Sequence, residues 1–238
     1  ILQVLAAVSL LLLLFHALTG RSWQVIFAFK LTHLLPAILQ STIYLYWWMY
    51  WSGVGEYLPL LAMHLAFAYL FEAFFSLLVH RTWKVGFGPL PVVGSTGLFI
   101  WVVGADVWLG FLAIAIAIGS KNLLRPGGSH VFNPSALGVS VVGILALIWP
   151  QQVGYTDIAS ELNLAPNMTE LILLLALVVQ FKLKTVTLTL SAFATLWGLH
   201  WFNLVDVLLP TWPAVFLVMT LLATDPFTSP RRPLGRII

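Results

Sequence analysis

The chain has 238 residues, of which 61% are hydrophobic and only 8% charged, with a formal net charge of +3. A water-soluble domain carries about a quarter charged residues, so too little polar surface is present to cover a globule in water, and the solvent must be largely lipid. The absence of cysteine excludes disulfides, thiol catalysis and cysteine-ligated iron–sulfur clusters within this chain; the basic residues lie singly or in small groups between apolar runs, which is no nucleic-acid surface.

A spanning helix needs about 20 apolar residues, fewer where it is broken or buried in a bundle. In chain order the apolar runs predict nine spans, at 1–19, 31–51, 57–79, 90–104, 106–119, 132–149, 169–181, 185–202 and 207–223. The expected fold class is therefore an all-α integral membrane protein, with residues 1–238 forming one polytopic domain. Segment 1–19 reads as a span and not a signal peptide, because no basic region precedes it and no small-residue cleavage site follows. The aromatic run YLYWWMYW at 44–51 closes the second span as an interfacial belt. Segment 90–104 carries Pro91, Gly94, Gly97 and Gly104, and 106–119 and 169–181 are short. Broken spans of this kind are tolerated only where protein or a polar cavity covers the freed backbone.

Charge tests the topology. If nine spans alternate, one side receives segments 20–30, 80–89, 120–131, 182–184 and 224–238, which hold all 11 lysines and arginines. The other side holds Glu56, Asp106, Asp157, Glu161 and Asp206, with Glu170 at its margin. The positive-inside rule puts the basic set in the cytoplasm, as expected of a bacterial inner-membrane protein. It also starts Ile1 on the outer side, so a further N-terminal span is expected, and the closing Arg236-Ile237-Ile238 reads as the start of another apolar run.

Two polar stretches break the apolar pattern on the basic side. In GSKNLLRPGGSHVFNPSALG, residues 119–138, Asn133 and Pro134 make a sound helix start, since Asn caps well and Pro suits the first turn. That start can be purely structural. Alternatively, its free N–H groups, with Arg125, the Gly127-Gly128 turn, Ser129 and His130, make an anion-friendly pocket for a phosphate or ring carbonyl. LLATDPFTSPRRPLGR, residues 221–236, repeats the pattern at Asp225-Pro226, flanked by Thr224, Thr228 and Arg236.

Together with VVGSTGLFI at 92–100, these stretches resemble the RnfD/NqrB family, the membrane subunits of the Rnf complex and of sodium-pumping NADH:quinone oxidoreductase. The nearest flavour is the branch of the UnbU proteins. The resemblance covers roughly residues 60–238 and implies a repeat-built bundle of about ten helices, similar in outline to urea transporters. It also implies a flavin, FMN or riboflavin, with quinone as a further candidate, and electron transfer coupled to Na⁺ or H⁺ movement. Cofactor-binding positions would be Arg125, Ser129, His130, Asn133 and Ser135, then Thr224, Asp225, Thr228 and Arg236, and a third group of Ser95, Thr96 and Gly97. The loop PQQVGYTDIASELNLAPNMTELIL lacks the family's Ser-Gly-Ala-Thr attachment motif and offers only Thr156 and Thr169, so the flavin is expected to be non-covalent.

Glu72, inside the third span, reads either as an ion or proton way-station or as a structural partner of His80, Arg81 or a backbone amide. His16, His33, His64 and His200 suit interhelical hydrogen bonds better than haem, and no metal site is expected. The leading expectation is a non-autonomous membrane subunit of a redox-linked complex, whose partners carry NADH oxidation and iron–sulfur centres. The alternatives are a transporter or channel for a small solute or flavin precursor, and a cofactor-free scaffold of the same fold.

Overall fold

A computed structural model describes residues 2–20, 24–100, 107–124, 132–149, 161–204 and 212–222. Among them are nine α-helices: α1 Leu2–Thr19, α2 Leu31–Trp48, α3 Gly53–His80, α4 Pro89–Phe99, α5 Trp108–Leu123, α6 Pro134–Ile148, α7 Met168–Leu183, α8 Val186–Trp201 and α9 Trp212–Leu217. A short π-helical stretch, Val218–Leu222, follows α9. Each falls on one of the nine predicted apolar runs. Two of these helices, α1 and α3, are long and apolar enough to cross a membrane.

The all-α expectation fits, with one short strand pair added to it. Strand β1, Gln24–Phe27, pairs in parallel with β2, Thr82–Val85, in the register Gln24 with Thr82 through Phe27 with Val85. The segments were read as plain connections because four residues leave almost no periodic signal. The pair ties the α1–α2 connection to the α3–α4 connection, so both lie at the same end of the bundle. Ala28 N–H extends the ladder by donating to the Val85 carbonyl at 2.8 Å, and Tyr69 OH on α3 donates to the Gly86 carbonyl at 2.9 Å.

Helix α3 is the axis of the packing, with α1, α2, α4, α5 and β2 around it. Its 28 residues measure about 42 Å. Ile43, Trp47, Val54, Leu98, Ile114, Leu162 and Leu217 are all enclosed in the principal core. Trp47 is fully buried, and its indole N–H is satisfied by the Glu161 carbonyl at 3.0 Å. Tyr46 OH donates to the Pro166 carbonyl beside it, so the segment before α7 is fixed to the far end of α2.

Helix α4 differs from the rest. Pro89 and Pro91 sit in its first turn, where a missing N–H costs nothing, and the chain leaves the helix at Ile100 with φ −130 and ψ 110. Eleven residues rise only about 16 Å. Helix α4 is therefore a half-helix with α2, α3, α5 and α6 packed against it, and residues 101–104 of the predicted span lie outside the described residues.

Charge segregates along the bundle axis. The β-pair marks one end, with Lys30, Arg81, Lys84 and the C-terminal Lys121 of α5. Helix α7 starts at the opposite end beside Tyr46 and runs back, which carries Lys182 and Lys184 to the β-pair end. Glu56, Glu161 and Glu170 lie at the far end. Outward faces are apolar: Leu13 on α1, Leu147 on α6, Leu174 and Phe181 on α7, and Trp197 and Trp201 on α8 are all exposed.

Helices α5 and α6 make the closest pairing. Gly138 lies so near α5 that a Cβ there would collide with the Ala113 carbonyl, whereas a Cβ at Gly143 meets nothing. Gly138→Ala is expected to lower the thermal unfolding midpoint in detergent, at a cost of about 1–3 kcal/mol for forced overpacking. Gly143→Ala on the same helix should leave the midpoint unchanged or raise it.

Candidate functional site

Helix α4 gathers the polar side chains of the bundle interior. Gln40, on the inward face of α2, donates from Nε2 to Ser95 Oγ at 2.7 Å and to the Pro91 carbonyl at 3.3 Å. One turn further along α2, Tyr44 OH donates to the Gly94 carbonyl at 3.2 Å. Thr96 Oγ1 donates back to the Val92 carbonyl at 2.8 Å, and the same carbonyl accepts from Ser135 Oγ at 3.5 Å. Ser95, Thr96 and Ser135 are all buried. Two of the three predicted groups, the α6 start and the Ser95-Thr96-Gly97 run, therefore meet.

The α6 start forms as its sequence dictates. Asn133 Oδ1 accepts from Ala136 N–H at 3.3 Å, and Pro134 occupies the first helical turn. Of the predicted cofactor positions, Arg125, Ser129, His130, Thr224, Asp225, Thr228 and Arg236 lie outside the described residues, as does Thr156. Thr169 is the second residue of α7, whose cap position is Asn167.

The described positions do not make a flavin site among themselves. Asn133 caps its own helix, Ser135 and Thr96 are turned to the Val92 carbonyl, and Ser95 is bonded to Gln40. A flavin here would need groups beyond these four.

The stretch 119–138 was read as a loop from Ser120 onward, but α5 continues to Leu123. Asn122 is buried and donates to the Ile118 carbonyl at 2.9 Å. Lys121 Nζ donates to Glu72 Oε1 at 2.7 Å, with side-chain exposures of 25% and 10%. Glu72 thus has an ion partner on a neighbouring helix, in place of the expected His80, Arg81 or backbone amide. His80 and Arg81 lie at the end of α3, two turns on from Glu72, and Arg81 takes a left-handed C-cap with φ 56. A 28-residue helix sets Glu72 deep, opposite the last turn of α5.

Gly88 lets this happen, because a Cβ there would stand 3.0 Å from Lys121 Nζ, 3.5 Å from Glu72 Oε1 and 3.8 Å from His33 Nδ1. Further along the same face of α3, His64 is buried, with its Nδ1 3.5 Å from Tyr57 OH and its ring edge-on to Phe111 at 4.4 Å. No group of three His, Cys, Asp or Glu side chains placed to hold a metal occurs among the described residues. Gln180, Thr185 and Thr189 form a second buried polar cluster around the α7–α8 turn. Gln40, Tyr44, Tyr57 and Lys121 were not singled out as site residues. The one signal for Gln40 and Tyr44 is their i, i+4 spacing on α2, which also carries Thr32, His33, Ser41 and Thr42.

No family model, no curated protein and no solved structure matches this chain.

The ion pair gives a direct test. Lys121→Met leaves a largely buried carboxylate without its partner and is expected to destabilise the protein. The loss should be below the roughly 3–5 kcal/mol of a fully buried broken pair, because Lys121 keeps part of its surface exposed. Thermal unfolding of Lys121→Met, Glu72→Gln and the double variant should show most of that loss restored in the double variant.

Proposed function

We propose that this chain is a polytopic inner-membrane protein, the membrane subunit of a redox-linked complex of the RnfD/NqrB kind. The observation that carries the reading is the junction of α4 with α6. The motif VVGSTGLFI builds a half-helix, and FNPS starts the helix seated against it, with Ser135 at the Val92 carbonyl. The two family-like stretches are thus parts of one interior site.

Membrane embedding is supported by the exposed apolar faces of α1, α6, α7 and α8, which exceed what a water-soluble monomer presents. In this reading all nine helices lie in the bilayer, and α4 enters without crossing. The β-pair end, with Lys30, Arg81, Lys84, Lys121, Lys182 and Lys184, faces the cytoplasm, and Glu56, Glu161 and Glu170 face outward. Stretches 119–138 and 221–236 then share the cytoplasmic side. A flavin held there without a covalent bond, or a quinone, would supply one- and two-electron chemistry. Electron donors and iron–sulfur centres belong to partner subunits, because the chain lacks cysteine. Proton or sodium movement would be coupled to that transfer.

Sidedness is tested by single cysteines in the cysteine-free chain. Lys84→Cys is expected to react with an impermeant thiol reagent only in inside-out vesicles, and Glu56→Cys only in right-side-out vesicles. The reverse pattern overturns the orientation. The cofactor is tested on purified protein, which should show the visible absorbance of a flavin, lost to the supernatant on acid precipitation. Colourless protein that moves a small solute into liposomes would instead establish the transporter reading, which the polar lining of α4 favours.

A further inference from the structure

Four glycines in the middle of the molecule clear space for polar atoms. A Cβ at Gly88 would meet Lys121 Nζ and Glu72 Oε1, and one at Gly94 would collide with Gln40 Oε1. At Gly97 it would lie 2.5 Å from Tyr44 OH and 3.3 Å from Tyr57 OH, and at Gly110 it would lie 2.7 Å from His64 Nε2. Residues 88 to 97 cover about 14 Å along α4. The side chains facing them form a row: the Glu72–Lys121 pair, then Gln40 with Ser95, then the two tyrosine hydroxyls, then His64.

Two members of the row are 97% buried yet have a polar atom with no hydrogen-bond partner among the described residues, namely Gln40 Oε1 and His64 Nε2. An orphaned buried acceptor costs about 1–3 kcal/mol, and water is the usual partner of such atoms in a polar setting. The charges along the row are compensated. Glu72 faces Lys121 from α5, His33 from the α2 side and Tyr69 on its own helix. His64 faces Tyr57 on α3, and α4 and α5 present it no charged side chain among the described residues. A neutral row of donors and acceptors with one paired charge suits water and protons.

We propose that this row is a hydrated, proton-conducting passage from the basic end of the bundle to His64, closed in this conformer by the Glu72–Lys121 ion pair beside Gly88. Each hop moves one proton from an O–H or N–H donor to the next acceptor, with water bridging the gaps, so no oxidant or reductant is needed. The inference rests on the membrane part of the reading above and not on its flavin. It gives the coupled ion an identity and a route.

Because the chain has no cysteine, Ser95→Cys makes a single reporter of water at the middle of the row. The cysteine thiolate attacks the sulfenyl sulfur of aminoethyl methanethiosulfonate, forming a disulfide and expelling methanesulfinate, and the thiolate form needs local water. In proteoliposomes of the full chain, labelling of Ser95→Cys should be slow with the pair intact. It should be on the order of tenfold faster when either Lys121→Gln or Glu72→Gln is added. Ala176→Cys, buried on α7 outside the row, should stay unlabelled in every background. Because the passage ends at His64, hydrogen–deuterium exchange at the His64 ring, followed by mass spectrometry, should speed severalfold in Lys121→Gln.

Equal labelling with the pair intact and broken overturns the proposal. So does labelling of Ala176→Cys in step with Ser95→Cys, which would mean a loosened bundle, and so does labelling without faster exchange at His64. Absorbance of the same preparation separates the two readings. Colourless protein with gated labelling leaves the passage and removes the redox subunit, and yellow protein with ungated labelling does the reverse.

Discussion

Helix α4 ends inside the protein, and that fact governs the arrangement around it. Eleven residues rise about 16 Å. A helix that stops inside a protein leaves backbone groups at its ends that water cannot reach. Other helices must therefore surround it, and α2, α3, α5 and α6 do. They must also bring polar side chains, which accounts for Gln40, Tyr44 and Ser135 pointing at its carbonyls. Glycines on α4 follow from the same need, since Gln40 and Tyr44 reach that backbone only where no Cβ intervenes at Gly94 and Gly97.

The second constraint is electrostatic. A carboxylate held two turns inside the end of α3 is costly unless a cation meets it. Lys121 does so because α5 keeps its helical form through Ser120, Lys121 and Asn122, although the residues look like loop. The longer helix lets the amine reach inward while part of its stem stays exposed. Replacing both charges by neutral groups of similar size would be near neutral for stability by general experience with such pairs. A charge pair kept at a site where apolar packing would serve is more readily understood as a device that opens than as a brace.

Among the described residues the order of the helices was legible from hydropathy, because nine apolar runs separated by polar residues leave little room for another partition. The pairing of the first and third connections into a parallel sheet was not. It joins four residues at 24–27 to four at 82–85, across two helices, and non-local pairing leaves no mark in either segment. Helix ends were missed in both directions for local reasons. Leu123 closes α5 beyond the polar Ser-Lys-Asn, which stays helical because its side chains find partners. The start of α6 was read correctly, since Asn133-Pro134 carries its own cap.

The interior site was half legible. Ser95, Thr96, Gly97, Ser135 and Glu72 stand out as polar or small residues in apolar runs, and all five lie around α4. Their partners Gln40, Tyr44, Tyr57 and Lys121 come from three other helices, α2, α3 and α5, and only the packing selects them. His64 and Glu72 are eight residues apart on α3, so they share a face about 12 Å apart along the axis. Between them lie Ala68 on α3 and Ala117 on α5, both fully buried. Small side chains between two ionisable groups neither fill the interval nor bridge it. The α2 and α4 groups complete the connection from the side, so the row bends around α4 and does not run straight down α3. A structure that placed bulky residues at positions 68 and 117 would gain packing and lose any freedom for α5 to shift against α3.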